Sequence, residues 1–134
     1  MTLLVDTSVW SLSLRREAPT LPELDELRAA LAGNDLVVTT GVVIQELLQG
    51  LVSDAARSLT RDRMSRMAQV TATLDDHTHA AQAFIECRRH GVQLGTVDAL
   101  LAALCIRRNL TLLTTDRDFI HAAPVIGLRV WQPS

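Results

Sequence analysis

The chain has 134 residues, 48% of them hydrophobic but only 3% aromatic, and a formal net charge of -2. This length suits one domain, residues 1–134, whose aliphatic core needs no disulfide or structural metal. All thirteen basic residues are arginine and tyrosine is absent, so lysine-dependent chemistry is excluded and overall charge makes no case for nucleic-acid binding.

Residues 2–5 read as a short apolar strand ending on Asp6, with Thr7 and Ser8 as capping candidates for a short helix through Val9, Trp10, Leu12 and Leu14. A second helix covers 22–31, with Glu23, Asp25 and Glu26 early in it and Gly33 and Asn34 as its stop signal. The next strand is 36–38, closed by Thr39 and Thr40. A third helix starts near Val42, carries Glu46 in its interior and ends around Gly50. Glu46 stands between Val42, Val43, Leu47 and Leu48, which predicts a half-buried position.

Residues 53–69 read as a helix rich in arginine, with Arg57, Arg61, Arg63 and Arg66 within three turns. A short strand is expected over 70–74, and Asp75 and Asp76 look like the cap of a helix that runs to His90 and stops at Gly91. The segment 95–119, GTVDALLAALCIRRNLTLLTTDRDF, organises the rest. Val97, Leu100, Leu101, Leu104 and Cys105 give one apolar helical stripe, capped by Thr96 and closed by Asn109 as a left-handed residue. Residues 110–113 then form a buried strand that runs into Thr114, Thr115 and Asp116. Residues 118–122 are at most a short helix, and 128–131 make the last strand. The alternation of strands and helices predicts a doubly wound, three-layer α/β/α sandwich around a central, mostly parallel sheet.

Asp6 follows the first strand, Glu46 rides the third helix, Asp98 opens a helix and Asp116 follows a strand. Right-handed crossovers put parallel strand ends on one edge of the sheet, where such folds bind ligands. Four converging carboxylates would repel and take up protons more readily unless a cation neutralised them. Oxygen ligands without a matching Cys or His set point to Mg²⁺ or Mn²⁺ rather than Zn²⁺. His77 and His79 face different sides of their helix, and with His90 and His121 they make no zinc pattern.

LLVDTSVW, VVIQELLQG and GTVDALLAALCIRRNLTLLTTDRDF together resemble the three acidic signatures of PIN domains, and more narrowly the VapC toxins of bacterial toxin–antitoxin pairs. Residue by residue, the resemblance assigns the family's catalytic, metal-binding acids to Asp6, Glu46, Asp98 and Asp116. It assigns the accompanying polar residues to Thr7, Ser8 and Thr114. It implies a Mg²⁺- or Mn²⁺-dependent endoribonuclease that cuts RNA, tRNA or rRNA foremost, through a metal-bound water, leaving 5′-phosphate and 3′-hydroxyl ends. It further implies a homodimer held by a VapB-type antitoxin. The lack of lysine leaves phosphates to arginine, backbone N–H and hydroxyl groups, and bases to arginine or to Trp10, Phe84, Phe119 and Trp131 where exposed.

Other readings stand beside these. Thr115 and Asp118 have capping-box-like spacing, which sets capping beside ligation for Asp118. The row from Arg57 to Arg66 is either a solvated face or a contact for RNA or antitoxin, and Arg107 and Arg108 serve a helix dipole. Cys105 reads as a small core hydrophobe. The N-terminus shows neither a basic region nor a small-residue cleavage site, and no apolar run reaches membrane-spanning length, which reads as a cytosolic chain with reduced thiols. Phosphoaspartate chemistry would need a lysine and, in its dehalogenase-like form, a second Asp where Ser8 stands. Neither GxGxxG nor a P-loop is present. The remaining alternative is a catalytically silent PIN-fold module that binds protein or RNA.

Overall fold

Three short aliphatic runs and an exposed Ala–Gln edge strand supply a four-stranded parallel sheet in this computed structural model, which describes residues 1–33 and 35–134. The strands are β1 (Thr2–Val5), β2 (Leu36–Thr39), β3 (Ala68–Gln69) and β4 (Thr111–Leu113), in the order β3-β2-β1-β4. Leu3 aligns with Val37 on one side and Thr111 on the other, and Leu4 with Val38 and Leu112. Leu3, Leu4, Val5, Leu112 and Leu113 are fully buried, because a parallel sheet covered on both faces leaves its central strands no polar side.

The helices are α1 (Thr7–Ser13), α2 (Pro22–Ala32), α3 (Gly41–Gln49), α4 (Asp54–Ser65), α5 (Leu74–Arg89), α6 (Thr96–Arg107) and α7 (Arg117–Ile126). Helix α1 contacts both α2 and α3, and α3 contacts α4, while α5 packs against both α6 and α7. Two helical layers thus enclose the sheet, the α/β/α sandwich expected from the alternation. Among the described residues, no helix is long and apolar enough to cross a membrane.

Several local expectations are corrected. Helix α6 is buried continuously from Leu101 to Cys105 rather than along one stripe, because it is covered by both the sheet and α5. Its N-cap is Gly95, with Thr96 inside the first turn; Asn109 does take the left-handed conformation, at φ 57°. Residues 70–74 are not a strand: β3 ends at Gln69, and Thr73 caps α5 in a capping box with Asp76. Residues 128–131 contribute only an isolated parallel bridge between Val130 and Leu112. Of the second helix's stop signal, Gly33 is the C-cap and Asn34 lies outside the described residues.

The largest difference is α7, which is ten residues long. Pro124 lies in its last turn and forgoes only the one bond its N–H would have made to the Ile120 carbonyl, so the helix still reaches Ile126. Buried Phe119 and Ala122 fix the helix to the core, and Gly127 ends it at φ 73°.

Candidate active site

The chain leaves β1 on one side to build β2 and β3, then crosses back through α5 and α6 to place β4 on the other side of β1. The carboxyl ends of β1 and β4 therefore flank a topological switch point, the place where doubly wound sheets hold ligands. Asp6 and Asp116 sit there. Each is also an N-cap: Asp6 accepts the Thr7 backbone N–H at 2.8 Å and Asp116 accepts that of Asp118 at 2.9 Å. The helix dipoles of α1 and α7 thus stabilise both negative charges. Thr7 and Ser8 are not the cap expected from sequence; they are the first residues of α1.

Asp6 is nearly buried, with 6% of its surface exposed, and its desolvation is offset by polar partners. Its Oδ2 accepts hydrogen bonds from Ser8 Oγ and Thr114 Oγ1, both at 2.8 Å. The Thr114 hydroxyl in turn accepts the Asp116 backbone N–H at 3.0 Å, and Ser8 Oγ accepts that of Thr115 at 3.2 Å. One small hydroxyl network therefore fixes both strand ends in register with each other.

Glu46 reaches the site from α3. It is exposed rather than half-buried, since the apolar residues beside it in sequence turn toward the core while it points outward. Thr7 Oγ1 donates to its Oε1 at 2.8 Å, which aims the carboxylate at the β1 end. Asp98 lies in the first turn of α6, half-buried. Burial pushes its carboxyl above the ordinary aspartate range, and the charges of Asp6, Asp116, Glu46 and Asp118 add to that, to about 6. All four sequence-predicted acids, and Asp118 with them, thus share one electrostatic neighbourhood around Asp98.

Asp98 and Asp118 open onto a groove of about 530 Å³ lined in addition by Phe84, Arg88 and Gln93. Sequence reasoning did not place this groove, whose residues come from α5, the loop after it, α6 and α7. The i,i+4 spacing of Phe84 and Arg88 was its one legible trace. Of the aromatic residues, Trp10 and Phe119 are buried and offer no stacking surface; Phe84 and Trp131 are half-buried. Arg57 is drawn back to the carbonyls of Leu51 and Val52 and to Asp54, while Arg61, Arg63 and Arg66 remain exposed.

Arg107 and Arg108 do more than serve a helix end. Arg107 Nε donates to Asp76 Oδ1 at 2.8 Å and Arg108 pairs with Asp76 Oδ2, clamping the start of α5 to the end of α6. Cys87 and Cys105 are buried free thiols, and burial pushes Cys105 up to about 12, so both act as core hydrophobes. Among the described residues, no three His, Cys, Asp or Glu side chains stand close enough to clasp a metal ion directly.

A doubly wound sheet with capped carboxylates at its switch point defines an acidic-cleft α/β protein. The chain belongs to the PIN domain family, whose profile matches residues 3–124. VapBC2 from Rickettsia felis, solved bound to a DNA fragment from its promoter, superposes with a TM-score of 0.77 at 18% identity, over 98% of this chain and 100% of that one. VapBC-1 from nontypeable Haemophilus influenzae gives 0.75 at 18%, over 98% of each chain. Mycobacterium tuberculosis VapC20, described as a Sarcin-Ricin loop cleaving toxin, gives 0.73 at 20%, over 98% and 99%. These likenesses are likenesses of fold. No curated protein matches the chain at a significant level.

Proposed function

We propose that this PIN domain is a VapC-type toxin: a divalent-metal-dependent endoribonuclease, of tRNA or rRNA foremost, that forms a homodimer and is held by a VapB-type antitoxin. The observation that carries the reading is the convergence of Asp6, Glu46, Asp98 and Asp116 at the sheet's switch point, where burial and four other carboxylates push the Asp98 carboxyl up to about 6. A structural role would not need that concentration of negative charge; a hard cation would relieve it. The donors are all oxygen, and Mg²⁺ commonly keeps several waters while binding through one or two carboxylates, so a ring of acids too open to clasp a bare ion fits a hydrated one.

Asp6, Asp98 and Asp116 would hold the ion, with Glu46 ligating or orienting the water. When bound, the ion would lower the pKa of a water and neutralise charge developing on the phosphate. The chain's own residues do the rest. Ser8, Thr114 and the Thr7 backbone N–H keep Asp6 from rotating. Thr7 holds Glu46 Oε1, leaving Oε2 to orient the attacking water and accept its proton. Asp116 is held by its own helix cap. The structural likeness to VapBC complexes supports an antitoxin partner, which on this reading covers the same cleft.

The test is incubation of total cellular RNA with the purified protein in Mg²⁺ or Mn²⁺, in EDTA, and with Asp98→Asn in parallel, with the new 5′ ends mapped by sequencing. Discrete metal-dependent cuts that the variant loses are expected. No cuts in any condition, together with no divalent-metal binding by calorimetry, would instead identify a silent binding module.

A further inference from the structure

The groove beside the acids has features that metal binding does not use. Phe84 and Arg88 project from the same face of α5, one turn apart, and the Arg88 guanidinium lies over the Phe84 ring, 5.9 Å from its centroid. Arg28, Arg57, Arg89, Arg107 and Arg108 are each paired with a carboxylate; among the described residues Arg88 has no such pair. It is also the one cation among the described residues lining this groove, and Asp98 and Asp118 line the same groove. Exposed Gln93 lines the same groove from the loop that follows α5.

Five carboxylates outweigh the charge of one divalent ion, so a phosphodiester next to them is still repelled unless a cation at the rim receives it. The geometry points to this groove as a subsite for the single-stranded RNA nucleotide next to the scissile phosphate, with Arg88 binding its phosphate and Gln93 hydrogen-bonding its base edge. Phe84 supports the guanidinium at the groove wall, and Arg88 suits the task because its planar fork meets two phosphate oxygens at once. The inference rests on the ribonuclease reading and deepens it. It makes Arg88 a binding and positioning residue and Gln93 a specificity residue; neither touches the reacting atoms.

The experiment measures initial rates of total-RNA cleavage in Mn²⁺ against RNA concentration and salt for wild type, Arg88→Ala, Arg88→Lys, Phe84→Leu and Gln93→Ala. Arg129→Ala is the charge-matched control: Arg129 lies near Met1, Thr2 and Thr111 at the amino edge of the sheet, away from the acids. Arg88→Ala is expected to raise the half-saturating RNA concentration about tenfold with a near-normal plateau rate, the loss of one charge-assisted phosphate contact. It should also lower the logarithmic salt slope by about one. Arg88→Lys should recover part of the affinity, Phe84→Leu should lose part, and Gln93→Ala should relax the base preference beside the mapped cut. Arg88 and Arg129 are exposed, so thermal melts should match wild type. If Arg88→Ala matches wild type in half-saturation and slope while Asp98→Asn abolishes cutting, the subsite falls and the nuclease stands. Equal losses in Arg88→Ala and Arg129→Ala would also overturn it, as a general charge effect. Absence of any cutting by wild type removes both readings.

Discussion

Thr114 Oγ1 donates a 2.8 Å hydrogen bond to Oδ2 of Asp6 across 108 positions of sequence, and the same oxygen accepts the Asp116 backbone N–H. One hydroxyl thereby couples the end of β1 to the end of β4. Thr114→Val keeps the shape and removes both bonds within a buried position. The expected cost is about 1–2 kcal/mol of stability, read as a lower urea midpoint. Cleavage should fall about 10- to 100-fold, the usual effect of loosening a residue that orients a metal ligand. A variant with wild-type rate would mean that Asp6 is oriented without Thr114.

Asp98 carries the electrostatic cost of the cluster, since burial and four neighbouring charges act on it together. Asp98→Asn removes one charge from a self-repelling set while preserving the side-chain shape. The metal-free variant should therefore melt higher than metal-free wild type, by about 3 °C or more for each kcal/mol relieved in a chain of this size. Mg²⁺ or Mn²⁺ should raise the melting temperature of wild type and leave the variant nearly unchanged. A lower melting point for metal-free Asp98→Asn would show that Asp98 serves the fold rather than the cleft.

Acid should attack the molecule elsewhere, at Asp76. This residue is 1% exposed, and burial alone would push its carboxyl up; the Thr73 backbone N–H, Arg107, the Thr73 hydroxyl and Arg108 outweigh that and hold it at about 2. Because the folded value lies below the unfolded one, the contribution is complete above about pH 4 and is lost as pH falls toward 2. The shift corresponds to about 2 kcal/mol at neutral pH. At neutral pH Asp76→Asn should lose it and leave Arg107 and Arg108 without a counter-charge, a total cost of about 3 kcal/mol. Denaturant titrations at pH 7 and pH 3 check this: the gap between wild type and variant should be smaller at pH 3. A constant gap would assign the loss to packing alone.

The acidic ring and the parallel sheet were legible because each rests on local pattern. Asp6 and Asp116 follow apolar runs too short to be anything but strands, and Asp98 opens an apolar helix. What stayed hidden depends on partners distant in sequence. Arg107 and Arg108 look like residues completing a helix end until α5 brings Asp76 against them. Glu46 has apolar neighbours on both sides, yet a helix turns each residue about 100° from the last, so those neighbours face the core while Glu46 faces out. Residues 128–131 have strand composition but only one bridge, since Val130 meets β4 at Leu112 alone. Helix α7 runs past 118–122 because Phe119 and Ala122 bury one face of it against a core drawn from distant segments.

Glu46 and Thr7 separate ligation from orientation. Thr7 Oγ1 engages only Oε1 of the carboxylate, so the other oxygen is available to the water. Glu46→Gln keeps an oxygen able to accept the Thr7 hydroxyl but cannot take up a proton. The plateau cleavage rate should fall at least about 100-fold if the carboxylate acts as a general base. RNA affinity, measured in Ca²⁺ to suppress cutting, should stay within about twofold, because Glu46 is not asked to bind phosphate and the loss of a charge only weakens repulsion. Thr7→Val removes the restraint and keeps the chemistry, so its rate should drop by about tenfold or less, the worth of one exposed hydrogen bond. If Thr7→Val were the more damaging of the two, Glu46 would act through its orientation alone and the proton would leave by another acceptor in the cleft.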